Sequence, residues 1–112
     1  MKVIGDKLYW GVYELAWSLR TCGIRQYFFD AEGNIVGHFE PTKKAGYAKI
    51  PKNAKYILRR HWTNKGYPEH TLYSLPELVV IIKIDRNTTI DDILKLDIPE
   101  KLKEFLIDDI FG

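Results

Sequence analysis

From Lys7 to Thr21 the apolar positions advance at the angular step of a helix. Leu8, Val12, Leu15, Leu19 and Cys22 fall on one line, and Tyr9, Tyr13, Ala16, Trp17 and Arg20 on a second beside it. Lys7, Glu14, Ser18 and Thr21 make a narrow polar face. With Asp6 in front and Gly23 behind, the pattern predicts an N-terminal helix. After Gly23 the period changes. Ile24 to Asp30 and Ile35 to Glu40 are rich in β-formers and flank Ala31-Glu32-Gly33-Asn34, which predicts a hairpin. Arg25, Tyr27 and Phe29 share one face of its first strand, and Ile24, Gln26 and Phe28 the other.

Pro41 to Asn53 is predicted as a loop containing Gly46, Lys55 to Trp62 as a strand, Thr63 to Gly66 as a turn and His70 to Tyr73 as a further strand. Along Lys55–Trp62 the faces separate into Tyr56, Leu58, Arg60 and Trp62 against Lys55, Ile57, Arg59 and His61. Leu78 to Asp85, apolar on both faces through Val79, Val80, Ile81 and Ile82, is predicted as a buried core strand. Thr88, with Asp91 three residues on, starts a short helix over Thr89–Leu96, and Pro99 opens a second. There Leu102, Phe105, Leu106 and Ile110 recur at helical spacing, a stripe that packs on its own domain or forms an oligomerisation surface. The expected fold is α+β: an antiparallel β-sheet of about four to five strands packed against an N-terminal helix, with short C-terminal helices.

A chain of 112 residues with 46% hydrophobic content is expected to form one domain with its own core, without a metal or disulfide. The lone Cys22 excludes an internal bridge and fits a reducing compartment, and three scattered histidines offer no zinc spacing. No secretory signal is read in the first ten residues, and the longest apolar run, Leu78 to Ile82, is too short to span a bilayer, so the expected location is cytoplasmic. Phosphate loops, a nucleophile elbow and a nucleotide fingerprint are not found, so no cofactor is implied.

Charge changes the picture. Between Pro41 and Gly66 stand eight basic side chains and no acidic one, interleaved with Tyr47, Tyr56 and Trp62. Residues 1–75 hold 12 Lys+Arg against 6 Asp+Glu, and residues 76–112 hold 5 against 9, so the net +2 conceals a polar molecule. A lysine-rich stretch is commonly a solvated face, and abundant Lys and Glu serve thermostability. Solubility alone does not require the sorting, whereas a one-sided field concentrates a polyanion. Cations with flat rings among them suit a single-stranded nucleic acid, whose phosphates take the charge and whose unpaired bases take the rings.

The blocks KLYWGVYELAWSLRTCGIRQYFFD (Lys7 to Asp30) and KYILRRHW (Lys55 to Trp62) resemble the ThermoDBP and ThermoDBP-related family of single-stranded DNA-binding proteins from hyperthermophilic archaea. The likeness covers roughly residues 1–85, expected as the nucleic-acid-binding domain, with 86–112 a short acidic helical tail. It implies an antiparallel sheet packed on helices, not an OB fold, with a cleft of aromatic floor and basic edges, and homo-oligomerisation through elements outside that domain. The family's long coiled-coil extension has no counterpart after Asp85, so the shorter related proteins match better.

The matched blocks carry over Trp10, Trp17, Arg20, Arg25, Tyr27 and Phe29, then Arg59, Arg60 and Trp62, as nucleic-acid-binding residues; charge adds Lys43, Lys44 and Lys55. Core packing competes with stacking for each ring, and Arg59 and Arg60 as strand neighbours point to opposite faces. The expected protein is a homo-oligomeric binder of single-stranded DNA or RNA with little sequence specificity, not an enzyme. Two alternatives stand beside it. One is a small metal-independent ribonuclease using His38, His61 or His70 with an arginine. The other is an interaction module whose basic face meets an acidic segment of a partner.

Overall fold

Lys2–Ile4 (β1) and Lys7–Trp10 (β2) form an antiparallel hairpin in the computed structural model, which describes residues 1–10, 26–39, 46–62 and 68–112, with the backbone alone of residues 61, 62, 68 and 69. Gly5 takes φ +61 at the first central position of the two-residue turn, where a side chain would be strained. Gly46–Lys49 (β5) pairs with β2 and completes a three-stranded sheet in the order β1-β2-β5. The larger sheet has the order β4-β3-β6-β7-β8 and is antiparallel throughout. Its strands are Gln26–Phe29 (β3), Ile35–Phe39 (β4), Tyr56–Trp62 (β6), Pro68–Ser74 (β7) and Val79–Ile84 (β8). Ile90–Leu94 (α1) and Glu100–Phe111 (α2) follow.

Alternation along β3 and β6 sends apolar residues to both faces of the central sheet, and each face has its own cover. Phe29, Leu58, Leu72 and Ile84 meet Ile93, Ile98, Leu102 and Leu106 from the C-terminal segment. Phe28 and Ile57 meet Leu8, with Val3 and Ile50 beside them, from the three-stranded sheet. The result is three layers: helices, five-stranded sheet, three-stranded sheet. Leu102 and Leu106 are fully buried in the chain's own core, Phe105 packs edge-on against Phe29 and Tyr27 at 5.1 Å from each, and Ile110 is half-buried against the same cluster. The oligomerisation stripe read from the sequence is thus the inner face of α2.

The expected fold class is corrected by this arrangement. The chain is mainly β, with antiparallel sheets of three and five strands and its described helices at the C-terminal end. The predicted N-terminal helix does not start at Lys7, because Lys7–Trp10 alternates half-buried and buried positions and pairs on both sides. Residues 11–21 of that prediction lie outside the described residues, as does the turn at 63–66. The predicted loop at Pro41–Asn53 contains β5. The strand expected to be buried on both faces, β8, is an edge strand with Val79 58% and Val80 48% exposed.

Two acidic side chains fix turns. Asp30 accepts the backbone N–H groups of Asn34 (2.8 Å) and Glu32 (3.0 Å), and Asp92 accepts Thr89 N–H (2.9 Å) in a capping box, so the N-cap is Thr89, one residue beyond the Thr88 read from the sequence. Gly33, at φ +90 in the β3–β4 turn, lies so close to α2 that a Cβ there would approach Leu102 N to 2.8 Å. The Asn34 N–H bond to Asp30 and the Thr89 N–H bond to Asp92 hold each carboxyl below the ordinary aspartate value of 3.8. Depressed folded-state values stabilise the fold fully above 3.8, and that stability is lost as pH falls through them, because the unfolded chain then binds more protons. The midpoint of urea unfolding is expected to fall more between neutral pH and about pH 3 in the native chain than in an Asp30→Asn/Asp92→Asn variant. Equal losses would remove both carboxylates from the acid response.

Candidate nucleic-acid interface

The three-stranded sheet covers the central sheet with only one of its faces. Leu8 and Trp10 point inward, so Lys7 and Tyr9 point outward, and cross-strand register carries that orientation to the neighbours. Lys2, Tyr9 and Tyr47 stand opposite one another in one row, and Ile4, Lys7 and Lys49 in the next. Tyr47 is 57% and Ile4 56% exposed, and Lys2 and Lys49 are exposed. The Tyr9 and Tyr47 rings lie 5.6 Å apart at 42°, with Lys7 Nζ 4.8 Å from the Tyr47 centroid. Two rings and three ammonium groups therefore share one solvent face of a sheet, a stacking platform within reach of cations.

Beside this platform lies a cleft of about 380 Å³ between the Gly5-Asp6 turn, the segment Lys49–Lys55 and Leu75-Pro76. Lys49 belongs to both, and Lys52 and Lys55 are exposed at the cleft. The acidic helix α2 packs on the opposite face of the central sheet, so the sorting of charge along the chain becomes a sorting across the layers.

The residues singled out from the sequence are dispersed. Trp10 is buried, stacked on Phe39 at 5.4 Å and 21°, with its ring over Gly46. Phe29 is buried under α2, and Tyr27 is half-buried on the same face against Phe105. Arg59 and Arg60 are half-buried on opposite faces of β6: Arg59 stands in register with Gln26 and Thr71, and Arg60 with His70. Lys55 reaches the cleft. Trp62 ends β6, and Trp17, Arg20, Arg25, Lys43 and Lys44 lie outside the described residues. The platform residues Lys2, Lys7 and Tyr9 went unrecognised as a binding set, although Lys-Val-Ile, Gly-Asp and Lys-Leu-Tyr-Trp spell a short hairpin with a polar and an apolar face. Tyr47 and Lys49 were legible only as part of the basic run.

A second cavity, of about 320 Å³, lies at the helix face, where His70 Nε2 and Asp109 Oδ2 form a 3.1 Å hydrogen bond beside Arg60 and Arg86. His70 is 4% exposed, and the pair ties β7 to the last turn of α2. His38 lies on β4, three strand intervals or ~14 Å from His70 on β7, so these two histidines do not reach one phosphate. Among the described residues no group of His, Cys, Asp and Glu gathers as for a metal ion, and no helix is long and apolar enough to cross a membrane. No protein-family model matches the chain, and no curated protein or solved structure matches it either.

Proposed function

We propose that the chain binds single-stranded nucleic acid on the outer face of the three-stranded sheet. The observation that carries this reading is the outward-facing pair of half-buried Tyr9 and exposed Tyr47, with Lys2, Lys7 and Lys49 around it on one face. Unpaired bases stack on the rings, each contact contributing about 1–3 kcal/mol with tolerance for sequence. The lysines neutralise phosphates and release counterions. A basic layer opposite an acidic one orients an approaching polyanion toward the rings. The resemblance of residues 7–30 and 55–62 to the ThermoDBP family supports the same class of ligand.

Fluorescence anisotropy of labelled single-stranded DNA, single-stranded RNA and duplex DNA, across a salt series, tests the reading. Single strands are expected to bind more tightly than duplex, because a paired base has no free face to offer a tyrosine. Lys2→Ala and Lys49→Ala are each expected to reduce the log–log salt slope by about 0.7, the value for one phosphate contact on a single strand. Equal affinity for duplex and single strand, or slopes unmoved by both lysine changes, would place any binding elsewhere.

A further inference from the structure

We propose that the cleft beside the tyrosine platform is a base-selective subsite that seats one nucleobase of the bound strand and prefers guanine. The inference rests on the platform reading and adds specificity to it. Two backbone hydrogen bonds tie the walls together, Ile50 N–H to Asp6 C=O at 2.7 Å and Leu75 N–H to Lys55 C=O at 2.9 Å, and a third, Ala54 N–H to Pro51 C=O at 3.1 Å, closes a turn within one wall. The cleft is therefore formed before any ligand arrives. Its volume, about 380 Å³, lies near the small end of the range for ligand sites and suits a single base, not a folded oligomer.

The lining has two parts. Ile50, Pro51, Leu75 and Pro76 offer apolar surface to the flat faces of a base. Lys49, Lys52 and Lys55 offer charge to the phosphates on either side of it. Tyr47 and Lys49 stand two residues apart on the same strand face, about 7 Å at strand rise, so the backbone of a base stacked on Tyr47 passes Lys49 at the cleft.

Asp6 is the anomaly. Among the described residues that line the cleft it is the only acid, in surroundings that otherwise favour a polyanion. A carboxylate there repels phosphate, so its favourable partner within a nucleic acid is the donor edge of a base, which a single strand leaves open. Guanine presents two adjacent donors, N1–H and N2–H, that match the two carboxylate oxygens in a bidentate pair. Cytosine and adenine present one amino group beside an acceptor. Thymine and uracil present one N–H between two carbonyl oxygens that the carboxylate repels. The order expected is guanine first, cytosine and adenine next, thymine and uracil last.

The test compares an oligothymidine of about 12 nucleotides with the same strand carrying one central guanine, cytosine or adenine, by competition anisotropy. A single guanine avoids the structures that guanine runs form. The native chain is expected to bind the guanine strand about tenfold more tightly than oligothymidine, the scale of one good bidentate base contact. Asp6→Asn, which suits the same turn, is expected to bring the two affinities together while oligothymidine binding persists or improves. Lys52→Ala is expected to weaken all strands alike and keep the guanine preference. Tight oligothymidine binding with no preference for guanine would overturn the subsite and leave the platform standing. A preference that survives Asp6→Asn would overturn the carboxylate's role, and loss of all single-strand binding in the native chain would overturn both readings.

Discussion

A Tyr9→Ala/Tyr47→Ala variant is expected to bind unstructured single strands about 30- to 1000-fold more weakly than the native chain, a loss of about 2–4 kcal/mol. Each ring supports a base by stacking, at about 1–3 kcal/mol. The two are in contact, at 5.6 Å between centroids, so their removals are coupled and fall short of a simple sum. The same change also deprives Lys7 of the ring beneath it, an exposed cation–π contact worth about 0.5–1 kcal/mol that holds the ammonium group near the path of the strand. Stability responds far less, since the pair lies on the solvent face and a cross-strand aromatic pair contributes about 0.2–1 kcal/mol. Anisotropy for binding and a thermal melt for folding separate the two effects. A folded double variant with unchanged affinity would dismiss the platform.

Phe29→Ala is expected to act in the opposite sense, destabilising the fold by about 3–5 kcal/mol, as removal of a fully buried phenylalanine does. Phe29 is inaccessible to solvent, meets Phe105 edge-on at 5.1 Å, and sits where the central sheet receives α2. Truncation leaves a cavity between the central sheet and α2, and the backbone ladder of β3 with β4 and β6 restrains collapse into it. Urea unfolding should show a lower midpoint at unchanged m. Val79→Ala at the exposed edge of β8 is the comparison, with an expected change within about 0.5 kcal/mol. A small effect at Phe29 would mean that the helix layer does not close this core.

The hairpin around Asn34 and the two C-terminal helices were legible because their signals are local. Asp30, Gly33 and Asn34 are turn residues, Pro99 marks a helix start, and the Thr-rich cap with its acidic partner was readable at Thr88 and Asp91, one residue short of the observed Thr89 and Asp92. The first strands were not, because four residues of Lys-Leu-Tyr-Trp satisfy a helical stripe as well as an alternation when read into the following segment. What decides between the two is pairing with residues 46–49, and that partner is not visible in the segment itself. The exposure of Val79 and Val80 escaped for a related reason: an apolar strand reads the same at the centre of a sheet as at its edge. For the proposed site, charge drew attention to the basic run without giving the face on which any of its residues stands. Lys49 could be found from composition, but its companionship with Lys2, Lys7 and Tyr9 exists only in the register of β1, β2 and β5.

The layering also sets an order of events during synthesis. Residues 2–10 and 46–49, which make the tyrosine platform, and residues 26–84, which hold the central sheet, leave the ribosome before α2 does. Until residues 100–111 follow, Phe29, Leu58, Leu72 and Ile84 lack the cover of Leu102 and Leu106, and of the buried residues that meet them from the C-terminal segment have only Ile93 and Ile98 over them. A chain cut short at Pro99 would thus present an incompletely covered apolar face on one side of the sheet, opposite the layer that carries its lysines and tyrosines. Release from that vulnerable interval depends on the last helix, whose acidic outer surface faces away from the sheet it seals.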